Sequence, residues 1–389
     1  MYMPVLKVKG GELSALKASQ VELLSPLLEL VPPKPADDPA KVIQTRAKEI
    51  ARAWRHEIRV DVLQFVAAVG EVLPSGVHVL DALDTALMSH GVPLIPVTGL
   101  GRTATFQTAA AGVAARRGRG AALRLQASDL QRPGLAQGYA LQAATDLGLP
   151  ATGIDLILDL QGVAPATMAS LATAADHTLT ALYATPTGAA APAWRACYVV
   201  AGGYPVNPSG VAPGSVTPLP RADWQLWSTH TFPVATVYGD YGVDSPAFPG
   251  TGGRAFSNIK YTTDQDWLFI RGINVTMPGG RSQFLANCKI LTARPEFKGA
   301  AFSKGDTFIA NTCTAGATQG NPQQWRAAMY SHHIAFVLDQ LRGHGAAAPV
   351  RHGPPAPPLP APGVKKAKGA SKTPKGPKAP AARASKSKS

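Results

Sequence analysis

Apolar positions along most of the chain fall into two rhythms that take turns. Short apolar runs read as strands, and longer stretches with apolar residues on one face of a 3.6-residue period read as helices. After an opening Pro4-Val5-Leu6-Lys7-Val8-Lys9 segment and a short helical pattern over residues 12–19, the first strand is expected at residues 23–31 (LLSPLLELV), stopped by Pro32-Pro33. Residues 40–56 are expected to be helical, because Ile43, Ala47, Ile50, Ala51 and Trp54 share one face. Further strands are expected at 58–66, 92–98, 121–127, 154–161, 196–201 and 234–239, with helices at 78–90, 105–116, 134–147, 166–181 and 221–227. The eighth strand signal is split into 258–262 and 267–271 around Asp264-Gln265-Asp266. Helices at 282–293, 306–311 and 323–341 complete the pattern.

Strands alternating with helices imply parallel pairing through crossovers, and continuous apolar strands imply a sheet covered on both faces. An open doubly wound sheet would show the same rhythm. The count of eight points instead to an α/β fold of the eight-stranded β/α (TIM-like) barrel type over residues 1–342.

Composition changes the picture mainly at the end of the chain. Residues 343–389 are rich in Pro, Ala, Lys and Ser and carry ten basic residues with no Asp or Glu. Ten of the fourteen net positive charges therefore sit there, and the barrel itself is only mildly basic. Such a segment cannot bury enough apolar surface to offset chain entropy, so a disordered basic tail is expected. It would bind polyanions weakly by counterion release, or act only as a solubilising appendage. The three cysteines, Cys197, Cys288 and Cys313, show neither zinc spacing nor a disulfide framework, which fits a reducing cytoplasm. No signal-peptide pattern opens the chain and no uncharged apolar run is long enough to span a bilayer, so no membrane partner is expected.

In a β/α barrel the site is built from the C-terminal ends of several strands. The ends read here are Glu29, Gln64, Thr98, Arg124, Asp159 with Gln161, Tyr204, Asp240 with Tyr241, and Tyr261 with Arg271. Carboxylates and guanidinium groups sharing one mouth must pair, bind metal or meet a charged ligand. Glu29, Asp159 and Asp240 are the candidate catalytic residues, as acid/base groups or ligands of a divalent metal. Lys7, Lys9, Arg124, Tyr241, Tyr261, Arg271 and His333 are the candidate ligand-binding residues.

Each has a structural alternative. Asp159 can pair with Arg124, Glu29 with Lys7 or Lys9, and Arg271 with Asp240 or Glu29. Asp240, between Gly239 and Tyr241-Gly242, can cap a turn, and Asp306 reads as a helix N-cap. Trp325, Met329, His332 and Phe336 form one helical stripe, so at least one residue of the His332-His333 pair should abut the core. Gly99-Leu100-Gly101-Arg102-Thr103 could offer backbone N–H groups to an anion, but it completes neither a dinucleotide fingerprint nor a P-loop.

Several of these segments, taken in order, resemble the beta protein family of bacteria and phages. The matching pieces are Tyr2, Pro4, Leu6, Lys7, Lys9, Glu12, Ala15 and Leu16, then Ser25-Pro26-Leu27-Leu28-Glu29. Tyr238-Gly239-Asp240-Tyr241 with Pro246, Lys260-Tyr261-Thr262, and Trp267 with Arg271-Gly272 follow. Phe297, Gly299, Phe302-Ser303, Gly305-Asp306, Trp325-Arg326 and His332-His333 complete the string, which spans residues 2–341. The resemblance implies no particular reaction. By association only, it implies a part in phage–host conflict.

Two functions stay open. The mouth could serve a phosphate-bearing ligand, a nucleotide or nucleic acid; if it is catalytic, metal-dependent phosphodiester chemistry is the class its carboxylates fit. Alternatively the same surface belongs to a non-catalytic immunity or exclusion factor that binds a protein partner.

Overall fold

In a computed structural model of the chain, residues 1–19, 21–185, 191–206, 208, 211–248, 255–314 and 318–344 are described. Parallel strands close into an eight-stranded barrel: β1 (Tyr2–Lys7), β2 (Leu27–Glu29), β3 (Ile58–Asp61), β4 (Leu94–Thr98), β5 (Ala121–Gln126), β6 (Ile154–Gly162), β7 (Ala196–Gly202) and β9 (Val237–Asp240). The intervening β8 (Val216–Pro220) belongs to a separate antiparallel sheet with β10 (Ile259–Thr262) and β11 (Asp266–Ile270). The outer layer includes α1 (Gly10–Ala18), α2 (Pro39–Ala53), α3 (Leu63–Val69), α4 (Val79–Met88), α5 (Ala104–Arg117), α6 (Ala127–Leu130), α7 (Pro133–Asp146), α8 (Met168–Tyr183) and α9 (Ala222–Thr229). Three later helices, α10 (Gln283–Thr292), α11 (Lys304–Thr312) and α12 (Pro322–Gly343), pack with the side sheet.

Local chemistry explains where elements begin and end. Asp38 accepts from the backbone N–H groups of Ala40 and Lys41 with Pro39 opening α2, whose Ile43, Ala47, Ile50 and Ala53 are buried. Thr103 caps α5, which stops at Gly118 in the left-handed conformation. Asp61 accepts from Leu63 N, so β3 ends there and α3 begins at once. The expected strand over 58–66 is therefore a short strand followed by a helical turn.

Inward and outward side chains alternate along each barrel strand. Met3, Val5, Leu27, Val97, Ala122, Ile157, Tyr198, Val200 and Val237 fill the interior, while Tyr2, Leu6, Leu28 and Val60 face the helices. Charged groups close the N-terminal end of this apolar filling. Arg59 and Arg195 both bond Asp155, and Arg59 also reaches Ser25. A second set of charged groups lies at the opposite end.

Two expectations about strands are corrected. The opening segment is itself barrel strand β1, paired with β2 on one side and β9 on the other. Residues 258–271 do not supply the eighth barrel strand; β10 and β11 form an antiparallel hairpin with Thr262 opposite Trp267. A connection so short cannot make the crossover that parallel strands need. The count of eight holds with a different membership.

The side sheet packs Ile259, Tyr261, Leu268 and Ile270 against Phe284, Leu291, Ile309 and Trp325. Cys288 of α10 and Cys313 at the end of α11 are joined by a disulfide, contrary to the expectation that none forms. Widely spaced cysteines do not reveal such a pair because two helices, not the sequence, bring them together. α12 is capped by Asn321 and Gln324, whose side chains bond each other's backbone N–H. It is buried on nearly every face between the barrel and the side sheet. Among the described residues no helix is long and apolar enough to cross a membrane. The helix over 322–343 ends one residue past the expected domain boundary, and the expected tail lies, from residue 345, outside the described residues.

Candidate functional site

The C-terminal ends of β1, β2, β3, β5 and β6 bring Lys7, Glu29, Asp61, Arg124 and Asp159 into the barrel mouth, with Tyr241 directly after β9. Arg124 is the hub. Its Nε and Nη2 lie 3.0 and 2.7 Å from Asp159 Oδ2, its Nη1 lies 2.9 Å from Asp61 Oδ2, and its Nη2 lies 2.9 Å from Glu29 Oε1. Tyr241 accepts from Arg124 at 2.7 Å and donates to Asp159 at 2.7 Å. Asp61 also accepts from Arg102, which reaches over from the segment after β4. Three carboxylates thus converge on one guanidinium, with two further cations beside them.

Burial and pairing compete at each group. Burial alone would raise Asp61, yet the charges of Arg102 and Arg124 hold it below the usual carboxylate range. For Glu29 burial wins over Arg124, so its carboxyl is held above its ordinary value. Only Oε1 of Glu29 is bonded; Oε2 is buried without a hydrogen-bond partner. Burial likewise lowers Lys7, whose ammonium donates to the carbonyls of Ser245 and Ala247 and lies 4.9 Å from the ring centre of Phe248. A buried group with an open valence is rare in folded proteins and is usually completed by water or ligand.

A cavity of about 310 Å³ opens over these groups. Glu29, Arg124 and Tyr241 form its charged base, Gln64, Gln126 and Gln161 bring three carboxamides, and Val206, Pro246 and Phe248 supply apolar wall. The Gln64 and Gln161 carboxamides make no hydrogen bond to a described residue. Gln161 has φ +55°, the one non-glycine residue with positive φ among those described. Asp159 Oδ1 holds it there by accepting from Gln161 N at 2.9 Å, where β6 bulges against β7.

The mouth does not fit a divalent metal. The three carboxylates that would bind one point at Arg124, and among the described residues no group of three or more His, Cys, Asp or Glu is arranged to hold an ion. The pairing of Asp159 with Arg124 on the preceding strand is the structural alternative the sequence allowed.

A family model described as Beta protein matches residues 2–339. The chain belongs to the beta protein family. No curated protein matches it.

The segments that carry the beta protein resemblance serve two different places. Lys7, Glu29 and Tyr241 meet in the mouth. Asp240, His333, Tyr261 and Arg271 do not join them. Gly239 and Tyr241 take the inward positions of β9, so Asp240 points out of the barrel. There it accepts from Tyr2 Oη at 2.6 Å, from Gly242 N at 2.9 Å and from His333 Nε2 at 2.9 Å. His333 Nδ1 faces the Thr262 hydroxyl at 2.9 Å. Burial lowers His333, so a neutral ring donating from Nε2 and accepting at Nδ1 satisfies both neighbours. Asp223, 1 % exposed, lies nearby; burial and the charge of Asp240 push it up to about 7.

Elsewhere in the chain Tyr261 donates to Asp306 at 2.7 Å and stacks on His332, which bonds Asp306 and the Thr262 carbonyl. Asp306 is also capped into α11 by Ser303, the N-cap role expected of that stretch falling to the serine. Both histidines are therefore core residues on two flanks of α12. Arg271 sits at the end of β11, over Phe256 and bonded to the carbonyl of Pro208. Lys9 precedes α1 as its N-cap residue and does not line the cavity.

Sequence reasoning passed over Asp61 and Arg102. The alternation Ile58, Val60, Val62 against Arg59, Asp61 already places Asp61 on the inner face. Arg102 lay in the glycine-rich segment read as an anion loop, and it faces a carboxylate instead.

Proposed function

We propose that the barrel mouth is a ligand site for a small phosphate-bearing molecule of nucleotide size, and that Glu29 takes up a proton from solvent as the ligand binds. The carrying observation is Glu29, a residue that lines a cavity of about 310 Å³ and whose Oε2 is buried without a hydrogen-bond partner. With Glu29 ionised, the cations Lys7, Arg102 and Arg124 balance Glu29, Asp61 and Asp159. With Glu29 protonated, as burial favours, the mouth carries one net positive charge. An anionic ligand and a proton on Glu29 therefore support each other. The placement of the site at the strand C-termini is the position that β/α barrels use for their chemistry.

The test is calorimetric titration of the full chain with nucleoside monophosphates in buffers of different ionisation enthalpy. Binding should come with proton uptake and tighten as pH falls. Glu29→Gln should remove both the proton uptake and the pH dependence. Binding that keeps its proton linkage in Glu29→Gln, or no binding by any such ligand, would sink the proposal.

A further inference from the structure

We propose that the part of the ligand recognised inside the mouth is a nucleobase, with the phosphate left towards the rim. This rests on the reading of the mouth as a ligand site and names the chemistry that selects the ligand.

Arg124 has little left to give an anion, since Asp159, Asp61, Glu29 and Tyr241 already take its donors. Lys7 spends donors on two backbone carbonyls beneath the cavity wall. Among the residues that line the cavity, the groups with free capacity are of another kind. Gln64 and Gln161 each present an amide donor and a carbonyl acceptor with no bond to a described residue, and Gln126 lines the same space. Glu29 Oε2 adds an acceptor when ionised and a donor when protonated.

The donor and acceptor side by side on one planar carboxamide match the edge of a nucleobase. A glutamine carboxamide pairs in bidentate fashion with the N6/N7 edge of adenine, and other bases offer comparable donor–acceptor sequences. The dianion of a phosphate monoester, by contrast, has acceptors only and would leave the carboxamide carbonyls facing it unpaired. Apolar Val206, Pro246 and Phe248 beside Tyr241 are the kind of wall that flat rings pack against in base-reading pockets. A cavity of about 310 Å³ lies at the small end of ligand pockets, room for a base and part of its sugar.

Gln161 is held at φ +55° although glycine would adopt this backbone freely. Asp159 fixes the conformation through the Gln161 N–H, and the side chain that results borders the cavity. Strain of this kind gathers where a side chain has a task. Here it ties Asp159, one of the three carboxylates that hold Arg124, to the orientation of a base-reading amide.

The experiment is thermal-shift and calorimetric titration of the full chain with four nucleosides, their monophosphates, ribose 5-phosphate and inorganic phosphate. At least one nucleoside should bind, its monophosphate should bind within about tenfold of it, and ribose 5-phosphate should bind at least about a hundredfold more weakly. Gln161→Ala and Gln64→Ala should each weaken the nucleoside by about tenfold or more, with unfolding temperatures at or above that of the parent. If ribose 5-phosphate or phosphate binds while no nucleoside does, the base assignment fails and the phosphate site stands. If nothing binds, both fail. Nucleoside binding that neither glutamine variant changes would also overturn the base assignment.

Discussion

Asp240 and Tyr241 are neighbours in the chain and serve opposite faces of the barrel wall. Tyr241 turns inward, 2.7 Å from both Arg124 and Asp159, while Asp240 turns outward to Tyr2 and His333. Gly242 follows with φ +64°, and a Cβ there would press against the ring of Tyr330 on α12. The strand end is thus held from the mouth, from β1 and from α12 at once. A shift of α12 would be felt at the base of the cavity through two consecutive residues.

Removing Arg124 should cost far more than an ordinary ion pair. Arg124→Met leaves Glu29, Asp61 and Asp159 facing one another without their shared cation. Breaking a buried pair in this way costs about 3–5 kcal/mol. Urea denaturation should show that loss at neutral pH and a smaller one in mild acid, where the stranded carboxylates can take up protons. A loss that is the same at both pH values would mean the carboxylates do not depend on Arg124.

Asp223 sets a pH trend of opposite sign to that of most carboxylates. Its ordinary value is 3.8 and burial raises it to about 7 in the fold. Between those values the native state holds a proton that the unfolded chain has lost, so this contribution to stability fades as pH rises towards 7. Asp223→Asn keeps the oxygen that accepts from Trp224 N and removes the ionisation. The variant should match the parent near pH 4 and exceed it by on the order of 1 kcal/mol or more above pH 7. Chemical denaturation across that range checks the sign.

Gln161→Gly should separate stability from binding. Releasing the left-handed strain returns about 1–3 kcal/mol, less about 0.5–1 kcal/mol for the added freedom of glycine in the unfolded chain. The expected result is an unfolding midpoint unchanged or slightly raised, together with weakened ligand binding. A clearly lowered midpoint would show that the side chain carries packing instead.

The Cys288–Cys313 bond closes a segment of 25 residues around α11. Cross-links of this span contribute about 2–4 kcal/mol. Cys313→Ser, or reduction of the parent, should lower the unfolding midpoint accordingly, and hydrogen exchange should quicken first in α10 and α11. Equal exchange in both forms would count against a structural role.

The barrel was legible in the sequence because its strands are apolar runs between amphipathic helices. β1 was not, since Pro4, Lys7 and Lys9 interrupt the apolar pattern of a strand whose inward positions end in a charge. Of the site, Glu29, Arg124, Asp159 and Tyr241 were legible as strand-end residues, while Lys7 was legible only as a candidate cation without its strand. Asp240 was misplaced because one residue of register decides which face a strand side chain takes. His333, Tyr261 and Arg271 belong to elements whose position against the barrel no local pattern states. The disulfide is of the same kind.

Closure of the barrel has a consequence in time. Tyr2 and Asp240, whose side chains meet at the β1–β9 seam, are separated by 238 residues. During synthesis at 5–20 residues per second, β1 waits on the order of 10–50 s before its last neighbour leaves the ribosome. Through that interval the growing sheet keeps an open edge at β1, with unpaired backbone groups and apolar Tyr2, Met3 and Val5 in reach of other chains. Crowded polysomes and chaperone supply should therefore govern the yield of folded protein more than the stability of the finished barrel does.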